Sequence, residues 1–215
     1  MTNLPKIYVI GDYNSHFSFE DAGYSKLLDS WYNGSAVTVR TTPYIKGQQG
    51  EINTTTIKEK LAALIASTSN ENILYFILHT GTTDAKNVIK KHTFFLDTAT
   101  YVDPLTYQSN LESIIQQINT SFPDKKIFVF TPMFNSSLYD NKEYIDIING
   151  ISTNTSLKNV YIIDFSSTIT TDDFNSKNII FNQTTHYKIF SKLQSEIKNS
   201  HAELKPLSLF QSQGN

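Results

Sequence analysis

Apolar residues alternate between two rhythms along this chain. Short continuous runs occur at Lys6–Ile10, Ala36–Thr41, Asn72–Leu78, Lys126–Thr131 and Asn159–Ile163. Each is rich in Ile, Val, Phe or Tyr and too short for a helix, so each predicts a buried β-strand. Between them the spacing changes to three and four. Ile57, Leu61, Leu64 and Ile65 share one helical face, and Leu111, Ile114, Ile115, Ile118 and Phe122 share another. Tyr144, Ile147, Ile148 and Ile151 form a third stripe, and Tyr187, Phe190, Leu193 and Ile197 a fourth. Asp103-Pro104 is a helix start, with Asp as N-cap and Pro at the first helical position. A further helix is expected within Phe17–Trp31, on a weaker pattern.

Strands apolar on both faces, separated by amphipathic helices, predict a parallel sheet covered on both sides. The expected architecture is a five-stranded α/β/α sandwich in one domain, residues 1–201, followed by a polar tail, residues 202–215, that contains "LSLF". Sites in such sheets form at the C-terminal strand ends. Those ends carry Gly11–Ser15, Thr42–Gly50, His79–Asp84, Pro132–Ser137 and Asp164–Phe165. After Gly81 the pattern lapses for roughly twenty residues, a candidate functional loop.

Composition narrows the partners. With a net charge of −2 and a single arginine, Arg40, the chain has no basic face for nucleic acid and few means of clamping phosphate. No apolar run approaches the ~18 residues of a membrane span. The start, "MTNLPKIYVIGDY", has no secretory pattern, so a cytoplasmic or virion setting is expected. Cysteine is absent, which removes disulfides and thiolate metal sites. Abundant Lys, Asn and Ile beside one arginine match an AT-rich coding sequence.

Four ordered segments resemble the SGNH (GDSL-type) hydrolases. Gly11-Asp12-Tyr13 follows the first strand, where the family has Gly-Asp-Ser. Gly47-Gln48-Gln49-Gly50 follows the second, where the family has an oxyanion-hole glycine, best matched by Gly50. Gly81-Thr82-Thr83-Asp84 follows the third, where the family has Gly-x-Asn-Asp. "NQTTHY" is expected ahead of the last helix, where the family has Asp-x-x-His. The stretch "NLESIIQQINTSFPDKKIFVFTP" is similar to the family's helix, proline turn and fourth strand.

The resemblance implies acyl transfer by a serine, a histidine that takes its proton, an aspartate that orients the histidine, and an oxyanion hole. Position by position, Tyr13 stands for the serine, Thr83 for the asparagine and Gln183 for the aspartate, with Asn182 beside it. Only His186 is kept among the polar catalytic side chains. A phenol carries its oxygen several ångströms too far out to replace a hydroxymethyl group, and Gln183 cannot balance an imidazolium. The expectation is an inactive scaffold in which Tyr13 plugs the old pocket, serving as a structural or binding component of a larger assembly such as a viral or phage particle. An esterase or carbohydrate deacetylase using Ser15 with His186 is the alternative, and a glycan or small-molecule receptor a third reading.

Other groups weigh less. Tyr13 as a nucleophile lacks a basic cluster to lower its pKa. Asp12, Asp84 and Asp164 end strands and could suggest a cation, but the resemblance makes the first two structural. His79 with His186 lacks a third zinc ligand at a suggestive spacing. His16, His92 and His201 stand in no motif. No metal or cofactor is expected. A protein partner or self-association is expected, a glycan is an option, and neither nucleic acid nor membrane is. The interface candidates are Phe94, Phe95, Tyr101, Leu207, Leu209 and Phe210. Tyr24, Tyr32, Tyr44, Tyr101, Tyr107, Tyr139 and Tyr187 are candidates either for a contact surface or for covering helix faces.

Overall fold

A computed structural model describes residues 6–11, 23–32, 38–42, 53–85, 101–133, 142–154, 156–174 and 181–200. The order is β1 (Lys6–Gly11), α1 (Tyr24–Trp31), β2 (Thr38–Thr42), α2 (Thr54–Thr68), β3 (Ile73–His79), α3 (Pro104–Ser121), β4 (Lys126–Phe130), α4 (Lys142–Ile151), β5 (Val160–Ile163) and α5 (Gln183–Ser200). A short 3₁₀ turn, Thr171–Asp173, precedes α5. The five strands form one parallel sheet in the order β2-β1-β3-β4-β5.

Strand alternation builds two cores. Tyr8, Ile10, Phe76, Leu78, Ile127 and Val129 face α2, α3 and α4. Ile7, Val9, Tyr75, Ile77, Phe128 and Phe130 face α1 and α5. Successive side chains point to opposite faces, so a continuous apolar run is what a two-sided sheet needs. The chain steps from β1 to β2 on one side and then to β3 on the other. The reversal of strand order therefore falls between β1 and β3, where Gly11 lies opposite His79.

The helix starts follow from local chemistry. Asp103 accepts from the Thr106 N–H at 3.1 Å with Pro104 in the first turn, as its sequence predicts. Asn53 accepts from the Thr56 N–H at 3.0 Å and starts α2. Of the expected Phe17–Trp31 helix, the described part begins at Tyr24, after Gly23. Strand limits differ from expectation by a residue or two. β5 opens at Val160 because Asn159 takes a φ of 57°, incompatible with a strand.

Most of the described tyrosines cover helix and sheet faces. Tyr24, Tyr32 and Tyr107 are buried, whereas Tyr101 and Tyr187 are 40% and 50% exposed. No described helix is long and apolar enough to cross a membrane.

Candidate functional site

The turn after β3 requires glycine. Gly81 has a φ of +106°, and a Cβ there would stand 2.6 Å from Pro132 Cγ. This packs the β3 turn directly on the end of β4. Three residues on, the buried Asp84 turns back to α2. Its Oδ1 accepts from the Thr54 N–H at 2.9 Å and the Thr54 hydroxyl at 2.6 Å. Asn110 of α3 donates to the Thr55 hydroxyl at 3.0 Å, joining a third element. Burial pushes the Asp84 carboxyl up to about 6, against the opposing pull of the Thr54 bonds. The residue thus has the structural role the resemblance implies. Thr83, which the resemblance sets at the asparagine position, is buried, and its hydroxyl has no hydrogen-bond partner among the described residues.

At the end of β3, His79 is fully buried. Its Nδ1 lies 3.1 Å from the Tyr24 hydroxyl, and its Nε2 has no hydrogen-bond partner among the described residues. Burial, and secondarily the nearby charge of His186, lower its pKa to about 3. His186 comes from α5. Its ring is 6.3 Å from that of Tyr24 and 5.6 Å from that of Phe181, in edge contact. The structure thus brings His79 and His186 together, but among the described residues no group of three metal-ligating side chains exists.

The segment expected ahead of the last helix is instead its first turns. Asn182 caps α5 by accepting from the Thr185 N–H at 3.0 Å, and the helix begins at Gln183. An Asn with a Thr three residues later is an N-cap pattern, and this explains the difference. Gln183 is exposed and His186 half-buried. The nearby carboxylate of Asp173 is held by Lys188 at 2.7 and 2.9 Å and by the Thr170 N–H at 2.8 Å. Asp164 accepts from the Thr131 hydroxyl and the Ser166 N–H, at 3.1 and 2.8 Å, and so shapes the turn after β5.

Tyr13, Ser15, Gly50, Phe94, Phe95, Leu207, Leu209 and Phe210 lie outside the described residues, as do Asp12, His16, His92 and His201. Tyr101 is at the entrance to α3, followed at 78% exposure by Leu105. The sequence reading did not pick out Tyr24 or Phe181 as neighbours of the histidines. Both are ordinary apolar positions in their segments, and only the fold sets them against His79.

No family model matches the chain, and no curated protein matches it. Solved structures do match. An acetyl-xylooligosaccharide esterase variant from Geobacillus stearmophilus is 14% identical with a TM-score of 0.63, covering 92% of this chain and 96% of its own. A family 3 carbohydrate esterase from Talaromyces cellulolyticus is 12% identical with a TM-score of 0.65, covering 92% and 98%. A lipolytic-type protein of the G-D-S-L family from Desulfitobacterium hafniense is 13% identical with a TM-score of 0.58, covering 89% and 98%. The chain has the SGNH-hydrolase fold. Within that SGNH fold, His79, Thr83 and His186 stand at the C-terminal edge of the sheet, on the turn after β3 and the start of α5.

Proposed function

We propose that this SGNH-fold domain is catalytically inactive and acts as a structural or binding component of a larger assembly. The observation that carries this is the setting of His186. It sits against the rings of Tyr24 and Phe181, while Gln183, at the acid position, faces solvent. The carboxylate near the start of that helix, Asp173, is committed to Lys188. With Tyr13 at the serine position and Gln183 at the acid position, two roles of the triad fall to side chains that cannot perform them. Each such loss typically costs ~10⁴ or more in rate. With chemistry gone, the remaining use of the fold is its surface. Tyr101 and Leu105 offer exposed apolar area, and Phe94 and Phe95 precede them in the sequence. A viral or phage particle is the kind of assembly we have in mind, from the AT-rich composition.

The test is direct. The protein is incubated with an activated acetyl ester and with a fluorophosphonate serine probe. The expected result is no turnover above a heat-killed control and no labelling. The second reading, an esterase or carbohydrate deacetylase using Ser15 and His186, draws support from the esterase titles of the similar structures. Labelling at Ser15 that is lost in His186→Ala would establish it and end the first reading.

A further inference from the structure

Besides Tyr24, the side chain that meets both His79 at the end of β3 and His186 in the first turns of α5, among the described residues, is Phe181. It is 3% exposed. Its ring lies parallel to His79, at 6.0 Å and 10°, and meets His186 edge-on at 5.6 Å and 73°. Its backbone is pinned by an antiparallel bridge to Phe174, whose ring is 5.3 Å away. On its other side Asn182 caps the helix, with its amide donating to the Asp172 carbonyl at 2.9 Å. Phe181 therefore has little freedom to swing out as a single rotamer.

We propose that Phe181 is a built-in plug that fills the space between the two histidines and closes this part of the site to ligands. The inference rests on the inactive reading above and names the side chain that shuts the site. The sequence reading assigned that part to Tyr13. The physical basis is the Nε2 of His79. A buried ring nitrogen without a partner is costly unless the space beside it is closed to anything that could pair with it. A stacked phenyl ring excludes water there and offers no hydrogen bond. Removing the ring would leave a largely apolar void with the His79 Nε2 on its wall. Such a void suits a small hydroxyl-bearing aromatic molecule, as engineered apolar cavities take benzene.

The experiment compares the unaltered protein, Phe181→Ala and the double variant Phe181→Ala/His79→Leu. Phenol and benzene are the probes, read by thermal shift and by the imidazole C–H resonances. The unaltered protein should respond to neither. Phe181→Ala should gain a few degrees with phenol and less with benzene, and the double variant should lose that preference. A folded Phe181→Ala that takes up neither probe overturns the proposal. Should that variant not fold, the unaltered protein still decides. Diethyl pyrocarbonate should leave His79 unmodified in the native state and modify it after denaturation, whereas ready modification in the native state overturns the plug. Hydrolysis of the acetyl ester with His79 still protected would refute the inactive reading alone. Modification of native His79 without hydrolysis would refute the plug alone.

Discussion

Two buried titratable groups at the same edge of the sheet should oppose each other as pH falls. His79 ordinarily titrates near 6.5 but is lowered to about 3, by burial and then by His186. In acid the unfolded chain takes up its proton before the folded protein does. Its contribution is therefore lost as pH falls from 6.5 towards 3, at about 1.4 kcal/mol per pH unit. Asp84 ordinarily titrates at 3.8 but is raised to about 6 by burial. Here the folded protein takes up the proton first. Its contribution is present below 3.8 and lost as pH rises through about 6, with the same slope and the opposite sign. Between pH 6 and 4.5 His79 removes, and Asp84 returns, on the order of 2 kcal/mol, so the two nearly cancel.

Single variants should unmask each term. His79→Gln retains a hydrogen-bonding partner for Tyr24 and does not titrate. Asp84→Asn retains an acceptor for Thr54 and does not titrate. Urea unfolding at 25 °C, at half-unit steps from pH 6 to 4.5, supplies the free energies. Relative to the unaltered protein, His79→Gln should gain, and Asp84→Asn should lose, on the order of 2 kcal/mol over that range. The double variant should return to the parental slope, since contributions the two residues do not share add. The reasoning is refuted if both single variants keep the parental pH profile, because then neither group has a displaced pKa in the folded state.

Gly81→Ala should destabilise the fold by about 2 kcal/mol or more, from positive φ and the collision with Pro132, measured by the urea midpoint at unchanged slope. Tyr13→Ser alone should not produce useful ester hydrolysis, whereas the triple change Tyr13→Ser, Thr83→Asn, Gln183→Asp has the better prospect. Strong turnover by the single variant would mean that the remaining catalytic groups lie elsewhere. Light scattering should show a multimer whose interface buries over ~1,000 Å², and Phe94→Ser with Phe95→Ser should weaken it while leaving the circular dichroism intact. A monomer at all concentrations would count against self-association.

The layered architecture was legible along the chain because it rests on local rules. Runs such as Ile73–His79, apolar on both faces, can satisfy their side chains only between two helical layers, and the stripes of α2 and α3 supply one of them. Asp103-Pro104 also declares itself, since a cap acts over a few residues. The site was legible only in part. "NQTTHY" is expected ahead of the last helix, but Asn182 and Thr185 meet within one turn and make it the start of that helix. Nothing local marks Phe181 or Tyr24 as a neighbour of the histidines, because their role depends on rings brought in from just before α5 and from α1 against a strand more than a hundred and about fifty residues away, respectively. The sequence by itself determined the sheet and its two-sided cover, and its resemblance set Tyr13, Thr83 and Gln183 against the family's serine, asparagine and aspartate. The tertiary structure alone decided that the two histidines share one aromatic enclosure, and burial there, which no local pattern encodes, sets the charge of His79.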